Sequence, residues 1–170
     1  LFLALTFIIA KVFLHDFGKL SPPDLSCGQT INLDWNVTTL DGGLVNLKRA
    51  AEGKLLFITF WATSCPSCVK EMPSIEKLHR AFGNRVVFAC VSTEELKALK
   101  EFASVRNLYV PVYKIYGDRP PGLETGALPA TFIISDKGTL LVKHIGATDW
   151  SHEDVVRYLE RLLKGKEGGT

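Results

Sequence analysis

Residues 55–68 read LLFITFWATSCPSC, an apolar run that passes through a short polar loop to a pair of cysteines. The run is apolar at almost every position instead of every second one, which indicates a strand buried on both faces, as in a parallel sheet. From Pro66 to about Phe82, apolar residues recur every three or four positions, which predicts an amphipathic helix that Pro73 should kink. The stretch therefore predicts a central strand, a loop with two cysteines and a helix.

The segments on either side also alternate between strand and helix patterns. Two strand-like segments around Asp41-Gly42-Gly43 predict a hairpin at a sheet edge, and Ser92-Thr93-Glu94-Glu95 has the pattern of a capping box. The remaining predicted segments are a strand at 85–91, a helix from the capping box to about Arg106, a strand at 109–113, an irregular stretch at 116–128, a hairpin at 131–144 and a helix from Ser151 to about Lys164. This order predicts an α/β fold with a central mixed sheet flanked by helices on both faces and an N-terminal β-hairpin extension.

The first residues differ in composition from the rest of the chain. Residues 1–14 are mostly apolar, and we interpret them as a membrane anchor or a signal segment with a truncated start. The anchor is favoured because no small-x-small cleavage site follows; a lipoprotein site at Cys27 and an apolar helix packed on the core are two further interpretations. Residues 15–30 predict a linker, 31–164 one folded domain and 165–170 a flexible tail.

The overall charge argues against one class of partner. The chain has 170 residues with 20 basic and 18 acidic side chains, a net charge of +2, and no run of Lys and Arg that would follow a phosphate backbone. We therefore expect no nucleic-acid partner.

Cys65 and Cys68 form a C-x-x-C pair at the end of the predicted central strand, the edge where open α/β sheets place their chemistry. Two intervening residues allow the sulfurs to close a disulfide, and the free N–H groups of a helix N-terminus stabilise a thiolate. Cys65 at the helix mouth is the expected nucleophile, and Cys68, one turn further, is the expected resolving thiol. Pro66 suits the first helical turn because a missing N–H costs nothing there.

A metal site and a purely structural pair are the competing interpretations of these cysteines. The chain has no second C-x-x-C, and Cys27 and Cys90 stand apart from the pair. His144 and His152 are also too far apart for the usual paired-histidine spacing. We therefore expect no metal and no cofactor beyond a redox-active Cys65–Cys68 disulfide. Cys90 is expected to pack in the core, and Cys27 is expected to be incidental.

The cysteine motif and two further segments resemble the thioredoxin superfamily, specifically its TlpA/ResA-like thiol-disulfide oxidoreductases. The residues that carry the resemblance are FWATSCPSC at 60–68 followed by Lys70-Glu71-Met72-Pro73, then Gly126-Ala127-Leu128-Pro129-Ala130-Thr131-Phe132, and Thr39-Leu40-Asp41-Gly42. The resemblance covers roughly Ile31 to Lys164 and implies a thioredoxin-like fold for this domain.

The resemblance also implies roles for residues around the cysteines. Pro129, preceded by Leu128, would be a cis-proline that faces the disulfide and leaves a backbone segment free to pair with a peptide. Glu71 would share a helical face with Cys68 and exchange a proton with it, unless it is a solvated surface charge. Trp61 would pack beneath the loop, and Ser67 would influence the redox potential together with Pro66.

The sequence also departs from the family pattern at two positions. Thioredoxins carry a buried Asp six residues before the first cysteine, and Thr59 stands there in this chain. Ser64 replaces the usual Trp before the first cysteine, which would open the surface around Cys65 and alter the choice of partner. Proton transfer through a buried Asp is therefore not expected here.

The resemblance implies an extracytoplasmic oxidoreductase that reduces disulfides of protein partners, in cytochrome c maturation or general thiol delivery. Its electron donor would be a thiol protein such as a membrane transporter. The N-terminal segment would tether the protein in the cytoplasmic membrane. If that segment is cleaved, the protein would be periplasmic or secreted. The first competing function is a peroxiredoxin-like peroxidase, but Ala62 and Ile58 stand where that chemistry has Thr and Pro. The second is a redox-inert binding or chaperone module, against which the intact cysteine pair argues.

Overall fold

The structure is a computed structural model that describes residues 28–167, with side chains to residue 164. The predictions for the anchor or signal segment, for Cys27 and for most of the linker lie outside the described residues. Among the described residues, no helix has the length and apolarity needed to cross a bilayer.

The described residues alternate between strands and helices, as the sequence pattern predicts. In chain order the elements are β1 (Asn36–Thr39), β2 (Leu44–Asn46), α1 (Leu47–Ala50), β3 (Leu55–Phe60), α2 (Pro66–Phe82), β4 (Val86–Ser92), α3 (Leu96–Arg106), β5 (Val112–Ile115), β6 (Ala130–Ile134), β7 (Leu140–Ile145) and α4 (Glu153–Glu167).

The strands form one mixed sheet, which within residues 28–167 has seven strands in the order β2-β1-β5-β4-β3-β6-β7. β3 pairs in parallel with β4 and antiparallel with β6, and β4 pairs in parallel with β5. The hairpin of β1 and β2 joins the sheet through β5, and β7 forms the opposite edge. The continuous apolar run therefore forms an interior strand with all six residues buried, which agrees with the prediction.

The long helices do not divide between the two faces of the sheet as the sequence pattern predicted. One buried cluster combines Phe57 of β3 with residues of α2, α3 and α4, including Ile75, Leu99 and Leu159. The steps from β3 to β4 and from β4 to β5 run in the same direction across the sheet, so right-handed crossovers place α2 and α3 on one face. On the opposite face, the N-terminal residues 31–35 and the short α1 cover Leu56, Ile58 and Phe60.

Element boundaries differ from the predicted ones where a local signal was misread. β5 begins at Val112 instead of Tyr109, after Pro111, which has no N–H to donate to a ladder. α4 continues to Glu167, so the tail predicted from residue 165 is helical in its first three residues. The short α1 was not predicted, whereas α2 spans Pro66–Phe82 as predicted, with Pro73 inside it.

The capping box predicted at Ser92–Glu95 does not form. α3 begins at Leu96 with Glu95 as its N-cap, and the Glu95 side chain makes no capping hydrogen bond. The Glu94 carboxylate is directed instead to the loop that precedes the cysteines.

Candidate active site

Cys65 and Cys68 lie where β3 passes into α2, and their sulfurs form a disulfide with Cα atoms 5.3 Å apart. Cys65 is the N-cap of α2, with extended backbone angles, and Pro66 is the first helical residue. The position of the pair follows from the sequence, because an N-cap residue adopts extended geometry and proline is preorganised for the first turn. Cys65 and Cys68 therefore lie at the start of the helix, where the sequence predicted them.

The two sulfurs have different surroundings. The Sγ of Cys65 accepts a hydrogen bond from the backbone N–H of Cys68 at 3.2 Å, and it lies 3.2 Å from the hydroxyl of Ser67. Cys65 is partly exposed, whereas Cys68 has 0% exposure. The backbone N–H of Cys68, at the helix N-terminus, would stabilise a thiolate on Cys65, and a partner protein can reach that sulfur first.

The loop between β3 and Cys65 is fixed by backbone hydrogen bonds and by packing. The N–H of Trp61 donates to the carbonyl of Val91 at 3.1 Å, and the N–H of Cys65 donates to the carbonyl of Ala62 at 3.2 Å. Trp61 is buried beneath the loop against Phe102 of α3, with ring centroids 5.3 Å apart. Its expected packing position is therefore observed.

Thr63 in this loop is bound by one carboxylate. Its backbone N–H donates to Oε2 of Glu94 and its hydroxyl donates to Oε1, both at 2.7 Å. Ser92 at the end of β4 supports the same carboxylate, since its hydroxyl donates to Oε2 at 3.1 Å and accepts from the Glu94 N–H at 3.2 Å. This contact was not predicted from the sequence, because the segment Ser92–Glu95 was assigned to a helix cap with Glu94 inside it.

Pro129 lies at the same edge of the sheet as the cysteine loop, immediately before β6. The Leu128–Pro129 peptide bond is cis, as the resemblance implied. Ala130, which follows it, pairs with Phe60 at the end of β3, and the carbonyl of Pro129 accepts from the N–H of Gly146 at 2.8 Å. Pro129 is buried and Leu128 is 37% exposed, so this segment presents an apolar side chain at the surface.

Glu71 is buried in α2, which contradicts its interpretation as a solvated surface charge. Only 3% of it is exposed, and Oε2 accepts from the N–H of Thr148 and from the indole N–H of Trp150, each at 3.2 Å. Oε1 is buried and has no hydrogen-bond partner among residues 28–167. Burial raises the pKa of the carboxyl from 4.5 to about 7, and the two hydrogen bonds oppose this rise only in part. A carboxyl with this pKa can give or take a proton near neutral pH.

Thr148 and Trp150 were not identified from the sequence. They follow Glu71 by 77 and 79 residues, and no local pattern connects them to it. Only the docking of the segment before α4 against α2 brings them together.

Thr59 and Cys90 occupy the buried sheet positions below the cysteine loop. The Thr59 hydroxyl accepts a hydrogen bond from the hydroxyl of Thr131 at 2.8 Å, and Thr59 is the register partner of Cys90 in the parallel pair. Cys90 is fully buried, and burial raises the pKa of its thiol well above the ordinary value. Cys90 therefore packs as an apolar residue, as expected, and Thr59 offers no ionisable group.

Metal-ligating side chains do not cluster in the part of the chain that the structure describes. No group of three or more His, Cys, Asp and Glu residues there is arranged to hold an ion. The groups that the structure places at or near this edge include the two sulfurs, the buried Glu71 carboxyl and the hydrogen-bonded loop at Thr63.

Comparison with known proteins finds a family match and related sequences. Residues 28–143 match the AhpC/TSA family. The thiol-disulfide oxidoreductase ResA of Bacillus cereus is 33% identical over 129 residues, which are 74% of this chain and 73% of that protein. The thioredoxin-like protein YneN of Bacillus subtilis is 30% identical over 118 residues, 66% of this chain and 68% of that protein.

Solved structures with the same fold include two disulfide exchange proteins. A secreted disulfide oxidoreductase of Mycobacterium tuberculosis, described as homologous to DsbE, is 25% identical with a TM-score of 0.59, over 75% of this chain and 96% of that one. A thiol:disulfide interchange protein of Chlorobium tepidum is 19% identical with a TM-score of 0.61, over 86% of this chain and 98% of that one. The second likeness concerns the fold alone, and it agrees with the thioredoxin-like architecture expected from the sequence.

Proposed function

Because this chain belongs to the AhpC/TSA family and is a thiol-disulfide oxidoreductase of the ResA type, we propose that it reduces disulfides of protein partners outside the cytoplasm. The observation that carries the proposal is the asymmetry of the two sulfurs. Cys65 is partly exposed and bonded to a helix N-terminal N–H, whereas Cys68 is fully buried behind it. The Cys65 sulfur is thus accessible for attack on a partner, and the buried Cys68 sulfur can act only as the resolving thiol.

The reaction proceeds in two exchange steps. The Cys65 thiolate attacks one sulfur of the partner's disulfide, which forms a mixed disulfide and releases the second partner sulfur as a thiolate that takes up a proton. Cys68, once deprotonated, then attacks Cys65 Sγ, so the Cys65–Cys68 disulfide forms and the remaining partner thiol leaves. Two electrons pass in total from this protein to the partner, each released partner thiolate takes a proton from water, and Cys68 gives up its own proton before it attacks.

Glu71 is proposed to accept the proton of Cys68 in the second step. Cys68 is buried and cannot give its proton directly to water, and Glu71 lies three residues later on the same helix. A carboxyl with a pKa of about 7 can be ionised before the step and protonated after it at neutral pH. Pro129 and Leu128 would bind the partner's backbone beside Cys65, and Ser67 would adjust the stability of the thiolate.

The direction, the location and the partners are further parts of this proposal. The apolar composition of residues 1–14 supports a membrane tether, and the relative of Mycobacterium tuberculosis is described as secreted. An oxidising compartment would require a thiol electron donor, which we propose to be a membrane transporter, and the partners would be proteins of cytochrome c maturation or of general thiol delivery. No cofactor beyond the disulfide is proposed.

Trapping of the mixed disulfide tests the proposal. In Cys68→Ala, Cys65 can still attack a partner disulfide, but no second thiol can release it from the mixed disulfide. Membranes treated with this variant should therefore yield covalent adducts that dithiothreitol cleaves. The matched control is Cys65→Ala, which removes the attacking sulfur and should yield none. Adducts with Cys65→Ala alone would reverse the two roles, and none with either variant would favour a redox-inert binding module.

The redox potential of the Cys65–Cys68 pair tests the direction of electron flow. A reductant of partner disulfides should lie nearer the value of thioredoxin, about −270 mV, than that of the oxidant DsbA, about −120 mV. Equilibration with glutathione buffers measures the potential. A value close to that of DsbA would reject the reductant role and leave the exchange activity in place.

A further inference from the structure

Glu94 binds both hydrogen-bond donors of one residue in the cysteine loop. Its two carboxylate oxygens accept the N–H and the hydroxyl of Thr63, each at 2.7 Å. Thr63 stands two residues before Cys65, in the turn closed by the bond from the Cys65 N–H to the Ala62 carbonyl. The contact is local to the reacting sulfur, yet Glu94 itself comes from a separate loop of the sheet edge.

The Glu94 carboxylate is in turn bound by Ser92. Ser92 is the last residue of β4 and is buried, and it both donates to Oε2 and accepts from the Glu94 N–H. β4 is the parallel neighbour of β3, so the two loops leave the same edge of the sheet side by side. Glu94 thus connects the start of the cysteine helix to an interior strand.

We propose that Glu94 is a positioning residue for thiol-disulfide exchange: it holds Thr63, and through Thr63 the turn that sets Cys65 Sγ against the backbone N–H of Cys68. This inference rests on the proposed function for its kinetic consequence, but not for its geometry. Charge-assisted hydrogen bonds to two donors of one residue restrict the loop more than neutral bonds would. Loss of the restraint lets Cys65 move away from the helix N-terminus, and its thiolate becomes less stable.

Two effects of Glu94 on Cys65 have opposite signs, which makes the proposal testable. A negative charge near a thiol disfavours the thiolate, so removing the charge alone would lower the thiol pKa. Removing the restraint would raise the thiol pKa, because the N–H of Cys68 no longer meets the sulfur. Positioning therefore predicts the opposite direction from simple electrostatics.

The experiment measures alkylation of Cys65 by iodoacetamide against pH in the reduced full chain. Glu94→Ala should raise the midpoint by about one pH unit and slow partner reduction about tenfold, whereas Thr63→Val, which keeps the backbone N–H bond to Oε2, should raise the midpoint by less. Because the hydroxyl lost in Thr63→Val acts through Glu94, the double variant should show no more than Glu94→Ala alone. Glu94→Gln, which keeps one acceptor oxygen, should give a smaller rise.

Two variants serve as matched controls. Thr63→Ser keeps both donors and should behave as the unchanged protein. Glu95→Gln removes a neighbouring carboxylate that is exposed and paired with Lys114 at 2.7 Å, and it should leave the midpoint unchanged. Glu71 is present in every variant, so its titration contributes equally to all profiles.

A lowered midpoint in Glu94→Gln, an unchanged midpoint in Thr63→Val, or additive effects in the double variant would overturn the proposal. If Glu94→Ala does not fold, Glu94→Gln and Thr63→Val decide by the same criteria. The alkylation profile needs no partner protein. A protein that traps no partner but shows the predicted shifts would therefore contradict the proposed function and not the role of Glu94.

Discussion

Glu71 is a residue of α2 whose carboxyl group is buried against the segment that precedes α4. Its neighbours satisfy one oxygen and leave the second without a partner in the described structure. Burial of a charged oxygen without full hydrogen bonding is costly, so the protonated form is favoured up to about pH 7. This cost is consistent with a group kept for proton transfer rather than for stability.

The raised pKa of Glu71 predicts a fall in stability as pH rises. Between 4.5, the ordinary value, and about 7 the folded state binds more protons than the unfolded state, so the free energy of unfolding decreases through this window. The decrease is absent below the window and complete above it, on the order of 3 kcal/mol. Glu71→Gln should remove it, as measured by urea unfolding from about pH 4 to about pH 8. An equal slope in both proteins would contradict the assigned pKa.

At the scale of elements, α4 holds the partners of Glu71 against α2. Trp150, just before α4, is fully buried and packs edge-on against Phe57 of β3 with ring centroids 5.0 Å apart. Its backbone N–H donates to the hydroxyl of Ser74 in α2 at 3.1 Å. The anchoring of α4 in the core thus supports the surroundings of the buried carboxyl.

Leu159 is the α4 side chain whose removal should show this anchoring. It is fully buried in the cluster with α2 and β3, so Leu159→Ala should lower the free energy of unfolding by about 2–5 kcal/mol through lost burial and a cavity. Leu44→Ala, at a position that is 55% exposed, is the matched control and should change it by less than about 0.5 kcal/mol. Urea denaturation gives both values, and similar losses at the two positions would contradict the packing described.

At the scale of the whole molecule, the sheet brings three separate loops to one edge. The loops after β3 and β4 carry Cys65 and Glu94, and the segment before β6 carries Pro129. Parallel pairing of β3 with β4 and antiparallel pairing of β3 with β6 make these ends adjacent. A catalytic edge of this kind depends on strand order and not on any one segment.

The arrangement at this edge predicts slow reaction with peroxide. Rapid peroxide reduction would need the Thr and Pro that the chain replaces with Ala62 and Ile58, and Ile58 lies buried in β3 facing away from the cysteine helix. Hydrogen peroxide consumption with excess dithiol should therefore be much slower than insulin reduction by the same protein. Fast turnover with peroxide would favour a peroxidase.

Several features could be predicted from short stretches of sequence. The apolar run at 55–61, the C-x-x-C pair and Pro66 predict a buried strand, a helix start and the roles of two sulfurs, because burial periodicity and helix capping depend on neighbours along the chain. The segment around Pro129 indicated the cis bond through its family resemblance. The functions of these residues stay predictions, and so do the domain limits apart from the start of the tail, which α4 overlaps.

The partners of the polar side chains, in contrast, were decided by tertiary structure. Glu94 lies within the segment that predicted a helix cap, yet it binds Thr63, which lies 31 residues earlier in the chain. Glu71 could not be distinguished from a surface charge until Thr148 and Trp150 were seen around it. A local pattern records which face of an element is apolar, whereas the partner of a polar side chain depends on which distant loop the strand order places beside it.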